Sequence, residues 1–338
     1  MLDIFHTDPF SLVSLTDAIN KLPFVPGRIG QSNLFSETAI STTTVSIEES
    51  NGILKLVAPT LRGAPGVTLD KGKRAVRSIT VPHFEINDAI MAEEVQNIRA
   101  FGSESSADQV MMKVAARMQE LGQSLEATKE YARVGAVIGV VAYADGSSLD
   151  LFTTFGVSQE TEVDFDLDNA SPASGALRKK CAGVLRTVAT NLGGVPVTGL
   201  RAICGDAFYD DLIAHPEVRA SYLNQIGAAE LRGGYVAAGQ SYGTFEFGGI
   251  VWENYRGAVG GTSFVNTDKC HIYPEGVPGL FRTVYAPADY VETVNTLGKS
   301  LYAKQYDMPN GKGVNLDVQT NALSYCTRPA ALIKGKRT

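Results

Sequence analysis

The chain has 338 residues, 44% of them hydrophobic and 20% charged, with a formal charge of -6. That length accommodates two domains and a sizeable core, the composition excludes disorder along most of the chain, and the negative balance excludes a broad polyanion-binding surface while leaving room for a local basic patch. Cys181, Cys204, Cys270 and Cys326 are widely spaced and form no C-x-x-C pair, which argues against a zinc or redox motif and for buried, reduced thiols.

The N-terminal "MLDIFHTDPFSL" has no positive segment followed by an apolar one, and the longest apolar run, 134–144, is shorter than the about 20 residues that cross a bilayer. A soluble protein of a reducing cytoplasm is expected, and the start at Met1 gives no sign of a removed prosegment. Residues 1–40 combine Pro9, Pro23, Pro26 and Gly27 with scattered anchors such as Phe5, Phe10, Leu22 and Phe24. A segment of that kind cannot bury its own apolar side chains and reads as an extended arm.

In "TTTVSIEESNGILKLV", Val45 and Ile47 alternate with polar residues up to the tight-turn dipeptide Asn51-Gly52, after which Leu54 and Leu56 resume the alternation. Residues 59–84, "PTLRGAPGVTLDKGKRAVRSITVPHF", place the basic knot Lys71-Gly72-Lys73-Arg74 beside flanks that alternate like paired strands. Pro82 confines the returning strand to an edge or a bulge. The pattern predicts a long, protruding two-stranded arm with no evident core.

Residues 88–101 read as a first helix closed by Gly102. A longer helix is predicted from Ser106, with Ser106 and Gln109 as a capping box, to about residue 131, a span of roughly 40 Å. Val110, Val114, Met118, Leu121 and Leu125 form its single apolar stripe, as for a rod lying across a sheet. "AVIGVVAY" and "LDLFTTF", joined by Asp145-Gly146, predict a hairpin. From Ser171 the pattern alternates helix and strand: Ser171-Pro172 starts a helix whose buried face is Leu177, Cys181, Val184, Val188 and Leu192, and Gly193-Gly194 stops it. "GLRAIC" is a strand, Asp206 caps "AFYDDLIAH", and "EVRASYLNQ" is a second helix. Residues 226–265 are glycine-rich and strand-like, and the last stretch is extended and ends in a basic tail.

Gly239-Gln240-Ser241-Tyr242-Gly243 matches the G-x-S-x-G of serine hydrolases, with Asp268 and His271 following in triad order. That motif requires a sharp strand-to-helix turn, whereas here no clear strand precedes it and a strand-like run follows. A hydrolase using Ser241 is therefore the alternative reading. "TLGKS" at 296–300 has Thr293 where a phosphate loop needs its first glycine. His6, His83, His215 and His271 lack metal-ligand spacing, and the adjacent pairs Glu93-Glu94 and Asp210-Asp211 point in different directions on a helix. No catalytic residue, metal or cofactor is expected. Arg62, Lys71, Lys73, Arg74 and Arg77, with Lys334, Lys336 and Arg337, could touch nucleic acid, but no aromatics interleave them. Contact with a neighbouring protein is the competing reading.

Several stretches resemble the phage major capsid protein E family, the group named after the lambda head protein. They are "RAFG" at 99–102, "TKEYARVGAVIG" through "YADG" at 128–146, "ICGDAFYDDLIAHPEVRASYLN" at 203–224, "FEFGGIVWENYRG" at 245–257, "YPEGVPGLFRTVYAPADYVETVNTLGKSLYAK" at 273–304 and "TRP" at 327–329. Their succession carries the resemblance. "TNAL" at 320–323 departs from it, with alanine where the family's proline is expected.

The resemblance implies an α+β, Hong Kong 97-type tailed-phage capsid fold: an N-arm at 1–40, an E-loop β-hairpin at 41–86, a P-domain with a long spine helix at 87–165 and 306–338, and an α/β A-domain at 166–305. It implies a major capsid protein and no enzyme, assembling as hexamers and pentamers into an icosahedral head around double-stranded DNA. The implied location is the virion, after assembly in the host bacterial cytoplasm. Implied partners are other copies of the chain, portal and scaffolding proteins, a decoration protein, and packaged DNA through weak non-specific contact, with no membrane and no cofactor. The E-loop cations Arg62, Lys71, Lys73, Arg74 and Arg77 are expected to lie over an adjacent subunit and meet Glu120, Glu126 and Glu130 of its spine helix.

Overall fold

The computed structural model describes residues 12–21, 27–50, 74–95, 106–223 and 243–338. The segment LVSLTDAINK forms α1 (Leu12–Lys21), which turns Leu15, Thr16 and Ile19 inward at helical spacing and leaves Val13 and Asp17 outside. One turn, α2 (Arg28–Gln31), and a short strand, β1 (Ser36–Ala39), follow. β2 (Thr44–Ser50) then pairs antiparallel with β3 (Arg74–Thr80), Thr44 opposite Thr80 and Ser50 opposite Arg74.

The base of the expected arm is therefore two-stranded. Asn51-Gly52, the Leu54/Leu56 alternation and Lys71 to Lys73 lie outside the described residues. Contrary to the sequence reading, that base has a core: Val45 faces Ile79 across the ladder, and both join Val81 in the main hydrophobic cluster. Period-2 alternation puts Val45 and Ile47 on the same face, and Ile47 also packs there. After Pro82 the chain forms β4 (Phe84–Met91), where a helix over 88–101 was expected; of the described residues in that stretch, those of α3 (Ala92–Val95) are helical, and 96–101 lie outside the described residues. The strand prevails because all of β4 pairs with residues 313–320 while Phe84, Ile86 and Ile90 face a core.

The long helix α4 (Ser106–Ile138) has 33 residues and spans about 50 Å at 1.5 Å per residue. It runs on through Val134–Ile138, which the sequence pattern assigned to a strand. Val134, Ala136 and Val137 are buried, so no polar side of the last turns betrays their period. The helix stops at Gly139, whose φ of +97° favours glycine. A Cβ at Gly135 would lie 2.7 Å from the Val141 Cα, so the chain folds back directly against the helix.

β5 (Val140–Ala142) and β6 (Ser148–Asp150) make a shorter hairpin than expected. Leu151–Phe155 is a helix, α5, and not a strand, because Asp150 Oδ1 accepts from the Phe152 N–H at 2.8 Å and Gly156 ends the turn in the left-handed region.

β7 (Val163–Asp164) precedes α6 (Ala176–Asn191), which buries Leu177, Cys181, Val184 and Val188 as predicted. It starts at Ala176 and not at Ser171. Its N-terminus is capped from a distance by Glu217, whose carboxylate accepts from Leu177 N–H at 3.0 Å and Arg178 N–H at 3.2 Å. β8 (Gly199–Cys204), α7 (Asp206–Ala214) and α8 (Pro216–Leu223) follow, with Asp206 as the first helical residue, not a side-chain cap. The remaining strands are β9 (Thr244–Phe247), β10 (Ile250–Asn254), β11 (Ala258–Val259), β12 (Thr262–Ser263), β13 (Lys269–Glu275), β14 (Phe281–Tyr285), β15 (Tyr302–Asp307), β16 (Gly313–Thr320), β17 (Ala322–Cys326) and β18 (Ile333–Lys336).

A six-stranded sheet in the order β7-β18-β13-β8-β10-β9 carries the main core, where Trp252 lies 5.5 Å from Phe165 and 5.9 Å from Phe208 between ring centroids. Two three-stranded sheets, β15-β16-β4 and β1-β14-β17, complete the scaffold. α4 joins two cores. Its second half lies in the main cluster, and Val114, Met118 and Leu125 of its first half pack with Leu15, Ile19, Ile90, Leu316 and Val318 in a smaller one. All four cysteines are buried and unbridged, and burial pushes Cys181 and Cys326 up to about 12.

Candidate assembly interface

The arm is held at its base by one of the cations expected to reach outward. Arg77 Nη1 donates to the Thr154 carbonyl at 2.7 Å, near the end of α5, where helix carbonyls lack intrahelical partners. Arg77 thus ties β3 to its own body. Arg62, Lys71 and Lys73 lie outside the described residues, and Arg74 opens β3 opposite Ser50.

The three spine glutamates have separate environments. Glu120 is exposed and accepts from Arg117 Nη1 at 3.0 Å, while Arg117 also reaches Asp88 at 3.4 Å. Glu126 pairs with Lys129 at 2.5 Å. Lys129 is itself buried, donates to Ser300 Oγ at 2.6 Å and sits 5.7 Å from the Tyr285 ring centroid; burial lowers its pKa.

Glu130 corrects the sequence reading outright. It is 4% exposed, and its Oε1 accepts from Ile29 N–H at 2.6 Å and the Tyr255 hydroxyl at 3.0 Å, while Oε2 accepts from Gly30 N–H at 2.9 Å. A carboxylate capping the start of α2 with charge-assisted bonds has no reach to a neighbour. A Cβ at residue 27 would lie 2.2 Å from Glu130 Cγ, which is why glycine stands there.

A second buried glutamate completes this clasp. Glu253 on β10 accepts from Arg28 Nε at 2.5 Å and from Arg201 Nη1 at 2.9 Å, and Arg201 Nε donates to Glu275 at 2.6 Å. Residues 27–31 are therefore fixed to both the spine helix and the six-stranded sheet. Sequence reasoning missed Arg28, Arg201, Glu253 and Tyr255, because their partners are 52 to 225 positions away and no local motif marks them.

α1 closes an otherwise open sheet edge. β15 is an edge strand, and the Thr16 hydroxyl accepts from Ala303 N–H at 3.2 Å and lies 3.3 Å from the Ala303 carbonyl, to which it donates. Asn20 Nδ2 donates to the Leu301 carbonyl at 2.9 Å. Side chains of a helix thus occupy backbone groups that a foreign strand would otherwise pair with.

The competing chemistries find little support. The tail cations are engaged within the chain: Lys336 with Asp164 at 2.9 Å, Lys334 with Glu162 at 3.5 Å, and Arg337 with Asp211 and Asp268, both at 2.8 Å. Ser241 lies outside the described residues, and His271, its expected triad partner, is buried in β13. Glu94 pairs with Lys113 at 2.9 Å. Among the described residues, no three His, Cys, Asp or Glu side chains cluster as a metal site, and no helix is long and apolar enough to cross a membrane.

The sequence model of the family described as phage major capsid protein E matches residues 11–337. The chain belongs to that family. As a member of the major capsid protein E family, it is a structural subunit of a phage capsid shell, and the virion capsid is its location. It is 29% identical to the major capsid protein of Pseudomonas phage KPP10, over 97% of both chains, and 24% identical to that of Salmonella phage Felix O1, over 98% of both. In fold it is similar to a protein assigned as the capsid protein of a prophage of E. coli CFT073, with a TM-score of 0.61 at 14% identity over 97% of this chain and 99% of that one. The capsid of cyanophage P-SCSP1u matches with a TM-score of 0.50 at 14% identity, over 94% and 90%. The α+β, Hong Kong 97-type expectation agrees with these likenesses.

Proposed function

We propose that the chain builds hexamers and pentamers of an icosahedral head around double-stranded DNA, and that the arm between β2 and β3 reaches over a neighbouring subunit. The observation that carries this reading is the family match over residues 11–337, together with a β-ribbon whose base is locked to its own body at Arg77 and Val45. In this reading residues 1–40 are the N-arm, 41–86 the E-loop, 87–165 with 306–338 the P-domain, and 166–305 the A-domain. Arg62, Lys71, Lys73 and Arg74 meet carboxylates of the neighbour, with Glu120 as the exposed acid on the spine. Glu126 and Glu130 are committed inside their own chain and drop out of that role.

Portal and scaffolding proteins, a decoration protein, and weak non-specific contact with packaged DNA complete the partners, with assembly in the host bacterial cytoplasm. A net charge of -6 suits a container, since a strongly cationic lining would hold DNA back during packaging. Negative-stain microscopy of the expressed chain tests the proposal. Shells, tubes or rings of six are expected, and a field of separate monomers at high concentration contradicts it.

A further inference from the structure

A row of polar groups crosses the point where β3 passes into β4 through Val81, Pro82 and His83. Asn321 is buried, and its Nδ2 donates to the Pro287 carbonyl at 2.6 Å. That bond fixes the amide, so its Oδ1, which only accepts, faces His83 Nδ1 at 2.7 Å. His83 Nδ1 therefore carries a hydrogen. The other ring nitrogen, Nε2, lies 3.2 Å from Glu85 Oε2. A neutral imidazole with its hydrogen on Nδ1 presents a lone pair at Nε2, which a carboxylate repels. The contact holds only with a second proton between His83 and Glu85.

The row continues inward. Gln319 Oε1 accepts from Asp289 N–H at 3.2 Å, which turns its Nε2 toward two carboxylates, Asp317 at 3.2 Å and Glu85 at 3.4 Å. Asp317 is 7% exposed, and burial, with Glu85 adding to it, raises its pKa above the ordinary 3.8. The charged and titratable groups around this row are few. β4 supplies Glu85 and β16 supplies Asp317. β15 supplies Lys304, which Glu292 holds at 2.8 Å, and the segment after β14 supplies Asp289, Tyr290 and Glu292. Asp88 and Arg117, 3.4 Å apart, lie on the opposite side of the sheet, toward α4.

We propose that His83, Glu85 and Asp317 form a proton-operated latch at the root of the arm, closed while His83 carries a hydrogen on both ring nitrogens. Closed, it ties the strand leaving the arm to β16, to Asn321 and to the 287–290 segment. Loss of the Nε2 proton turns the His83–Glu85 contact from attraction to repulsion and frees the junction between β3 and β4. Asp317 acts in the same direction. With its folded value raised, it favours the fold at low pH, and that contribution is lost as pH rises above 3.8 and through the folded value. The latch works within one chain and stands apart from the shell reading.

The test uses the soluble full chain. Nitrogen-15 histidine spectra are recorded between about pH 5 and 8.5, the range in which imidazoles give up a proton, with the His83 signals assigned by their loss in His83→Gln. Nδ1 should keep its hydrogen throughout while Nε2 alone releases one; a neutral His83 with its hydrogen on Nε2 overturns the latch. Amide exchange of peptides spanning 81–88, corrected for the intrinsic effect of pH, should rise about threefold over this range, the scale of a partly exposed ion pair, and stay level in His83→Gln. The same pH dependence in both proteins overturns the proposal. The difference in urea midpoint between Asp317→Asn and wild type should move in the variant's favour as pH rises from about 4 to 8.5. A difference that ignores pH overturns it as well.

Discussion

Glu130 of the spine helix accepts the Ile29 amide proton at 2.6 Å, joining α2 to the second half of α4. Because Gly30 N–H and the Tyr255 hydroxyl share the same carboxylate, its removal strands three donors, two of them buried. Glu130→Ala should cost about 3 kcal/mol in urea unfolding, from the lost charged hydrogen bonds and the unsatisfied donors. Glu130→Gln keeps an acceptor and should cost less. Equal stability for all three proteins would contradict the clasp.

Arg77 and the distal cations should separate cleanly. Arg77→Ser removes the bond to the Thr154 carbonyl and should lower stability by about 1–2 kcal/mol. Lys71→Ser/Lys73→Ser should leave the unfolding midpoint unchanged and reduce particle yield. If the double variant destabilised the isolated chain, or assembled normally, the division between anchoring and reaching cations would be wrong.

Thr16→Val tests the cover over β15. The substitution keeps the shape but removes the hydroxyl that pairs with Ala303 N–H and C=O, at a cost of about 1 kcal/mol. The Ala303 amide should exchange with deuterium faster in the variant, and the open edge should raise non-specific aggregation before assembly. Unchanged exchange at Ala303 would show that α1 does not guard the strand.

Acid sensitivity should trace in part to His271. Burial, with Lys334 beside it, pushes this imidazole down to about 3 from 6.5. Between those values the unfolded chain binds the proton and the folded chain does not, so stability rises with pH across the window and is lost as pH falls through it. The slope contributed by one such group is about 1.4 kcal/mol per pH unit. His271→Phe should flatten the stability profile between about pH 6.5 and about 3 by that amount, read from urea midpoints. An unchanged slope would contradict a neutral, buried His271.

How far the sequence revealed the molecule follows from where each signal originates. The arm base was legible because Val45, Ile47 and Ile79 alternate with polar neighbours, and α6 because Leu177, Cys181, Val184 and Val188 keep a helical period against a polar face. Val134 to Ile138 was misread because α4 is buried on both sides there, which erases the period. Leu151–Phe155 was misread because the decisive feature is a cap by Asp150, not an apolar pattern. Glu130 looked like a solvent-facing helix charge because charged residues seldom lie inside. Only the fold brings Ile29, Gly30 and Tyr255 around it. The family resemblance was legible because it rests on quoted stretches in order, which do not depend on tertiary contacts.

The central claim is that the chain is incomplete alone, its arm finding burial on another copy. A cryo-microscopy reconstruction of assembled particles tests this most directly. The account predicts that density for residues 51–73 leaves the body at the β2–β3 base and lies across an adjacent subunit. Density that folds those residues onto their own body, with no contact to a second copy, would contradict it.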